Sequence, residues 1–163
     1  MPSLSYDLWT RIASLVLISL MLSPHAAASD QVILTIKYSD QQHALTLNAM
    51  DAMPQQRATF QAAWGPDGQW QGVYLHHILQ HYSLQDFQDI RLNALNEYRI
   101  RLTQQDIQRG KPILATRFNG EPIPLERNGP VILIWPQQAE QVLAGTSPLA
   151  LWIWSLSEIR VRP

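Results

Sequence analysis

The stretch Ile113-Leu-Ala-Thr-Arg-Phe-Asn-Gly-Glu-Pro-Ile-Pro-Leu-Glu-Arg-Asn-Gly-Pro-Val-Ile-Leu-Ile-Trp-Pro136 restricts this chain more than any other part of it. It reads as an apolar strand, a reversal at Asn119-Gly120, a Pro-stiffened return and a second apolar strand. Asn-Gly supplies the positive φ of a tight hairpin turn, and each proline fixes φ near −65° along the return. The spacing predicts a sheet element over residues 113–136, and the rest of the chain has to pack around it.

Some residues fall outside any fold. Arg11 precedes an apolar-biased run from Ile12 to Leu22, and Ala26-Ala27-Ala28 supplies small residues for a cleavage site. The run is too short to span a bilayer, which takes roughly 20 residues. A signal peptide over residues 1–28, cut near Ala28-Ser29, is the expectation, and it implies export to the periplasm. Residues 29–163 then form one domain around a single core. With eleven basic and twelve acidic residues, this part keeps a net charge of −1. Such a balance offers nothing for a polyanion as a whole, so nucleic acid is not expected as a partner. Cysteine is absent, which excludes disulfides, thiolate catalysis and thiolate metal ligands. Nine of the eleven cations are Arg, the residue suited to bidentate recognition of anions.

Val32 to Tyr38 and Ala44 to Leu47 are β-rich runs around Ser39-Asp-Gln-Gln, a predicted hairpin. A strand is expected over Gln55 to Trp64, ended by the turn chemistry of Gly65-Pro-Asp-Gly68. Trp70-Gln-Gly-Val leads into a predicted amphipathic helix over Tyr74 to Tyr82, with Leu75, Ile78, Leu79 and Tyr82 on one face. Asp89 to Leu95 and Tyr98 to Leu102 read as strands joined at Asn96-Glu97. Thr103-Gln-Gln-Asp106 resembles a capping box, and Gly110 falls where a helix would end. Gln137 to Thr146 is a helix or a structured loop, and Leu156 to Val161 a last strand. Short helices among many strands, without βαβ alternation, predict an α+β fold with mixed sheets.

Hydrolytic and zinc chemistry find little support. His77 and His81 have the spacing of two ligands on one helix face. At about 100° per residue, however, both point away from the apolar side centred on Leu79. Ile78 replaces the glutamate of a His-Glu-x-x-His motif, so a solvated face is expected. No Gly-x-Ser-x-Gly elbow or Gly-rich phosphate loop exists. Asp67, Asp106, Glu121 and Glu126 sit beside turn or cap residues. Most of the tryptophans are expected in the core, with one or two free to stack on a planar ligand. Asn96-Glu97-Tyr98 reads equally as a plain turn or as a polar constellation. Arg57, Arg117 and Arg127 are surface cations or anion contacts.

Beyond these readings, the 113–136 stretch resembles the closing strands of the sulfite oxidase-like molybdopterin-binding domain. Thr59-Phe-Gln-Ala62 is similar to that family's Thr-Leu-Gln-Cys strand, and Trp70-Gln-Gly-Val-Tyr-Leu-His-His-Ile-Leu79 to its Trp-x-Gly-Val-x-Leu-x-x-Leu-Leu segment. Ile90 to Tyr98 matches a strand leading to a polar residue near the pterin, and Trp152 to Val161 the closing Trp-Leu-x-x-Ile-x-Val. The pieces occur in the family's order and cover most of the exported part.

The resemblance implies the family's α+β fold and a pterin or molybdopterin-like ligand among Arg57, Asn96, Tyr98, Arg117 and Asn128. The departures imply a changed activity. The family's molybdenum-ligating Cys aligns with Ala62, a His before Gly-Pro with Asn128, and an anion-holding Arg with Ile132. A methyl group cannot ligate a metal, and Ile removes a bidentate clamp. Cys-ligated molybdenum is therefore not expected. Three roles follow: a non-catalytic periplasmic protein that binds a pterin-like or other small ligand or serves as sensing partner of a membrane signalling protein; an oxidoreductase with a thiolate-free metal site; or an interaction module without a ligand.

Overall fold

A computed structural model describes residues 31–163, so the signal peptide expected over residues 1–28 lies outside the described part. In chain order the elements are β1 (Val32–Tyr38), β2 (Gln41–Thr46), α1 (Leu47–Asp51), β3 (Gln56–Gln61), β4 (Asp67–Tyr74), α2 (Leu75–His81), β5 (Asp89–Ala94), β6 (Arg99–Thr103), α3 (Gln104–Gly110), β7 (Ile113–Phe118), β8 (Glu121–Pro122), β9 (Ile132–Ile134), α4 (Ala139–Leu143) and β10 (Leu156–Arg162). Short 3-10 turns at Leu125–Arg127, Pro136–Gln138 and Leu149–Leu151 complete them.

The first sheet runs β2-β1-β10-β5-β6, parallel between β1 and β10 and antiparallel elsewhere. Its strands follow a two-residue period. In β10, Leu156, Ile159 and Val161 are buried, whereas Arg160 and Arg162 are exposed. One face therefore packs on the core and the other meets water.

The second sheet is built around β7, which pairs with β4 along one edge. Its other edge is shared: Ile113–Ala115 take β9 and Arg117–Phe118 take β8. The 113–136 segment thus forms the expected strand pair, with its return split into two short pieces. Ile113 to Thr116 and Ile132 to Ile134 are buried without alternation, so both faces here are covered. A single apolar cluster, including Leu34, Ile36, Ile78, Leu114, Leu133 and Ile159, joins the two sheets. This is the α+β architecture of mixed sheets and short helices that the sequence predicts.

Local chemistry explains both the agreements and the differences. The capping box is present in both directions: Thr103 Oγ1 accepts from the Asp106 amide at 3.2 Å, and the Thr103 amide donates to Asp106 Oδ2 at 2.8 Å. The helix ends on Lys111 in the left-handed region, at φ 44°, one residue beyond the expected Gly110. Gly110 is small for another reason, because a Cβ there would meet the Trp135 ring at 2.2 Å. Trp70-Gln-Gly-Val lies within β4, which also takes Asp67 and Gly68 from the expected turn. Close approach accounts for this, since a Cβ on Gly72 would lie 2.0 Å from the Leu114 carbonyl oxygen. The single-turn helix α1, capped by the Thr46 hydroxyl, has too few residues to show a helical period.

Candidate functional site

β3 ends at Gln61 and delivers Ala62, only 3% exposed, into the interior. Phe60 and Trp64, two residues to either side, both pack on Trp152, with ring centroids 5.8 and 5.1 Å away. Trp64 also meets Trp154 edge-on at 5.4 Å. Trp70 stacks on Phe60 at 5.8 Å and tilts against Phe118 at 4.7 Å. Six aromatic rings therefore form one continuous wall, of which Phe60 and Trp64 flank Ala62 along the chain. Each pair contributes about 0.5–1.5 kcal/mol beyond its buried area, so the wall is rigid.

Two depressions share this wall. The larger, about 470 Å³, is lined by Trp64, Trp70 and Phe118 together with residues 121–124 and 126–128 of the motif's return. Arg127, Asn128, Glu121 and Glu126 supply its polar side chains, and Arg127 has no ion-pair partner among the described residues. The smaller, about 270 Å³, is lined by Asn96, Tyr98, Leu149, Ala150, Trp152 and Trp154. Within the wall, the Nε1–H groups of Trp70, Trp152 and Trp154 find no acceptor among the described residues. Buried donors without acceptors are rare, and three of them together mark the region as unusual.

The five residues expected to hold a ligand are distributed over the molecule. Asn96 and Tyr98 line the smaller depression, where the Asn96 side chain accepts from the Tyr98 amide and the Tyr98 hydroxyl donates to the Ala150 carbonyl at 2.8 Å. Asn128 lines the larger one from the left-handed region, at φ 67°, with its carbonyl accepting from the Ser155 amide. Arg57 is exposed on β3 and donates to Gln71 at 3.3 Å.

Arg117 is turned to a different task. Its Nε and one terminal nitrogen grip both oxygens of Asp51 at 3.1 and 2.6 Å, and the other nitrogen donates to the Gly120 carbonyl. The Asp51 hydrogen bonds raise its pKa against the opposing effect of burial, with the Asp51 and Glu121 charges adding to them. A guanidinium so engaged has little left for a ligand anion. It ties α1 to the Asn119-Gly120 turn at the mouth of a third cavity, about 850 Å³, lined by Val32, Leu95, Thr116 and Leu125 among others. Thr116, 1% exposed, has a hydroxyl without a partner among the described residues.

His81 is exposed, as expected. His77 is half-buried, because the rings of Tyr74 and His76 cover it at 5.4 and 4.3 Å. A helical wheel places a residue relative to its own helix and misses a cap residue folding back over it. The aromatic wall was only partly readable: the number of tryptophans shows in sequence, but which of them share a cleft does not. Asp51 was missed altogether, since it sits on the unforeseen α1.

The class of fold comes first among the comparisons. A sulfane dehydrogenase SoxCD from Paracoccus pantotrophus superposes with a TM-score of 0.60 at 14% identity, over 83% of this chain and 39% of that one. The chain thus spans about two fifths of the length of that neighbour, and the likeness concerns the fold. No curated protein matches the sequence. The oxidoreductase molybdopterin binding domain matches residues 25–142, and the chain belongs to that family.

The residues present do not fit the family's metal in thiolate-ligated form. The chain has no Cys; Ala62, which the resemblance sets against the family's ligating Cys, is buried, and among the described residues no three His, Cys, Asp or Glu side chains converge. Ile132, aligned with the anion-holding Arg, is fully buried in β9 opposite Ala115.

Proposed function

We propose that this protein is a non-catalytic member of its family, binding a planar pterin-like ligand in the aromatic cleft lined by Trp64, Trp70 and Phe118. The observation that carries the reading is the wall of Trp64, Trp70 and Phe118 across a cleft from Arg127 and Asn128. Aromatic faces stack on a heterocycle, and a guanidinium and an amide meet its acceptor-rich edge and any attached anion. The cleft's volume lies within the range of small-molecule sites. In this reading Asn96 and Tyr98 close the far side of the wall, and Arg57 and Arg117 support it from outside the cleft. Placed in the periplasm by its leader, the protein would report ligand occupancy to a membrane signalling protein.

Quenching of tryptophan emission by added biopterin tests the ligand. The wild-type protein should respond, and Trp64→Ala should weaken the response about tenfold, the limit of one aromatic pair. Unchanged emission from the wild type sinks the pterin assignment. Metal analysis after expression in a host that makes the molybdenum cofactor tests the loss of catalysis. Stoichiometric molybdenum would favour an oxidoreductase with a thiolate-free site.

A second reading has its own support. Val32, Leu95 and Leu125, three of the exposed large apolar residues, line the 850 Å³ cavity, which shares residues 121–124 with the aromatic cleft but none of its rings. They suit a protein-interaction role that needs no ligand. Capture of a membrane sensor that survives Trp64→Ala but not Leu125→Asp would favour it.

A further inference from the structure

The water-facing side of the first sheet carries charge that the overall balance of the chain conceals. Residues 31–163 hold eleven Lys and Arg and eleven Asp and Glu. Six of those cations, Lys37, Arg91, Arg99, Arg101, Arg160 and Arg162, lie on this one face. The register sets four of them in a row across four strands: Lys37 opposite Arg160, Arg160 opposite Arg91, and Arg91 opposite Arg101. Asn93 opposite Arg99 continues the next row. Directly opposed side chains lie about 4.5–5.5 Å apart at Cβ, and like charges so placed repel.

Two carboxylates share the face. Glu158 is held between Lys37 and Arg160, each at 2.5 Å, and Asp89 between Arg101 and Arg162. Arg91 and Arg99 have no ion-pair partner among the described residues. The surplus is four positive charges, or three if Glu97 in the adjoining turn is counted. The remaining surface is correspondingly negative, so the molecule is electrically polarised.

We propose that this face docks on an anionic phospholipid bilayer. Charge complementarity argues for such a partner, because clustered Lys and Arg are drawn to an anionic leaflet and their attraction adds charge by charge. Arg91, Arg99 and Arg160 line a depression of about 280 Å³ with Glu97 and Glu158, but the row of cations runs on across four strands, as contact with an extended surface requires. No aromatic residue stands among them to stack bases, and no helix projects from the face to enter a nucleic-acid groove. The negative remainder of the surface would orient the protein with the charged face toward the lipid.

The test is co-sedimentation of the full chain with phosphatidylcholine vesicles, with and without phosphatidylglycerol. The readout is the ratio of the two affinities, which removes any salt-insensitive contribution from the apolar N-terminal run. Binding should favour the anionic vesicles and fall as salt shortens the screening length from about 8 Å toward 3 Å. Arg91→Glu should lower the ratio about 25-fold, from two charges at about fivefold each. Arg109→Glu, an identical charge change on α3, should leave it within about twofold. If Arg91→Glu fails to fold by circular dichroism, Arg99→Gln reads the same effect at about fivefold. A ratio near one for the wild type, or equal losses in Arg91→Glu and Arg109→Glu, overturns the proposal. So does tighter binding to an oligonucleotide or an acidic peptide than to the anionic vesicles at the same salt.

Discussion

The two sheets handle polar residues in opposite ways. In the first, β10 and β5 alternate, so Arg160, Arg162, Arg91 and Asn93 emerge on one face while Ile159, Val161 and Leu92 fill the core. In the second, the edge strand β3 still alternates, but the central β7 and β9 are buried on both faces, and the polar groups beside them are pushed to strand ends and loops: Arg117 at the end of β7, Asn128 and Arg127 beyond β8. A one-sided sheet can display a charged surface, whereas a sheet covered on both sides can only build a cleft at its rim. The difference teaches where each kind of recognition can sit. An extended electrostatic surface belongs to the first sheet, and a concave ligand site to the edge of the second.

The comparison is broken most directly by testing how tightly the second sheet is packed. The bulge between Gln71 and Gly72 brings β4 so close to β7 that a Cβ on Gly72 would meet Leu114 backbone atoms. Backbone on both sides cannot yield as a side-chain tip can. Gly72→Ala should therefore lose about 3 kcal/mol, read from urea unfolding of the tryptophan signal. A loss below about 1 kcal/mol would mean that this sheet gives way locally and is no more constrained than the other.

Polar groups at the rim of the second sheet should act as struts. Asp51→Asn removes the charge that grips Arg117 and one of its two acceptor oxygens, leaving a half-buried guanidinium with a neutral amide oxygen and the Gly120 carbonyl. Destabilisation of about 1–2 kcal/mol is expected, reduced by the solvent that still reaches the pair. Thermal unfolding of Asp51→Asn beside Asp51→Ala measures it. If neither differs from the wild type, the rim is as dispensable as an open surface.

How much of this was legible in sequence follows the same division. Period-two strands announce themselves, so β1, β2, β5, β6 and β10 stand close to where alternation and turn residues predicted them. The capped helix α3 was equally readable, because Thr103 and Asp106 satisfy each other locally. The second sheet was harder. β4 was absorbed into a turn and a helix lead-in, since its Gly68 and Gly72 are demanded by the neighbouring Phe118 and Leu114, which local sequence does not reveal. The family resemblance located Ala62 but not the rings around it. Trp64 and Trp152 meet across nearly ninety residues of chain, and only the fold brings them together. Arg117 reads in sequence as a surface cation or an anion contact, and its partner Asp51 stays hidden because it lies on a helix too short to have a period.

A titration sharpens the contrast from the side of the first sheet. Burial raises the Glu158 carboxyl, but hydrogen bonds from Arg160, Lys37 and Asn93 outweigh it and hold the pKa at about 2, against an ordinary value of 4.5. A depressed carboxylate stabilises the fold above its unfolded pKa, and that contribution is lost as the pH falls through the folded one. Stability should therefore decline between pH 4.5 and about 2, and Glu158→Gln should flatten the decline over that window. Chemical denaturation at a series of acidic pH values gives both curves. Parallel curves for variant and wild type would show that the carboxylate does not bind the charged face together.

The smallest effect decides whether the cations on that face are in tension. Arg91 stands between Arg160 and Arg101 in register. An ordinary exposed residue can be changed within about 0.5 kcal/mol in either direction. Here the sign is fixed: Arg91→Gln keeps most of the side-chain length while removing a charge repelled from both sides, so it should stabilise the protein by a few tenths of a kcal/mol. The gain should shrink as salt is added, because the neighbouring charges are then screened. Paired urea curves at low and high salt resolve it. A variant less stable than the wild type at low salt would mean that Arg91 has a favourable partner within the fold, and the row of cations would then be ordinary surface rather than a face held ready for an anionic one.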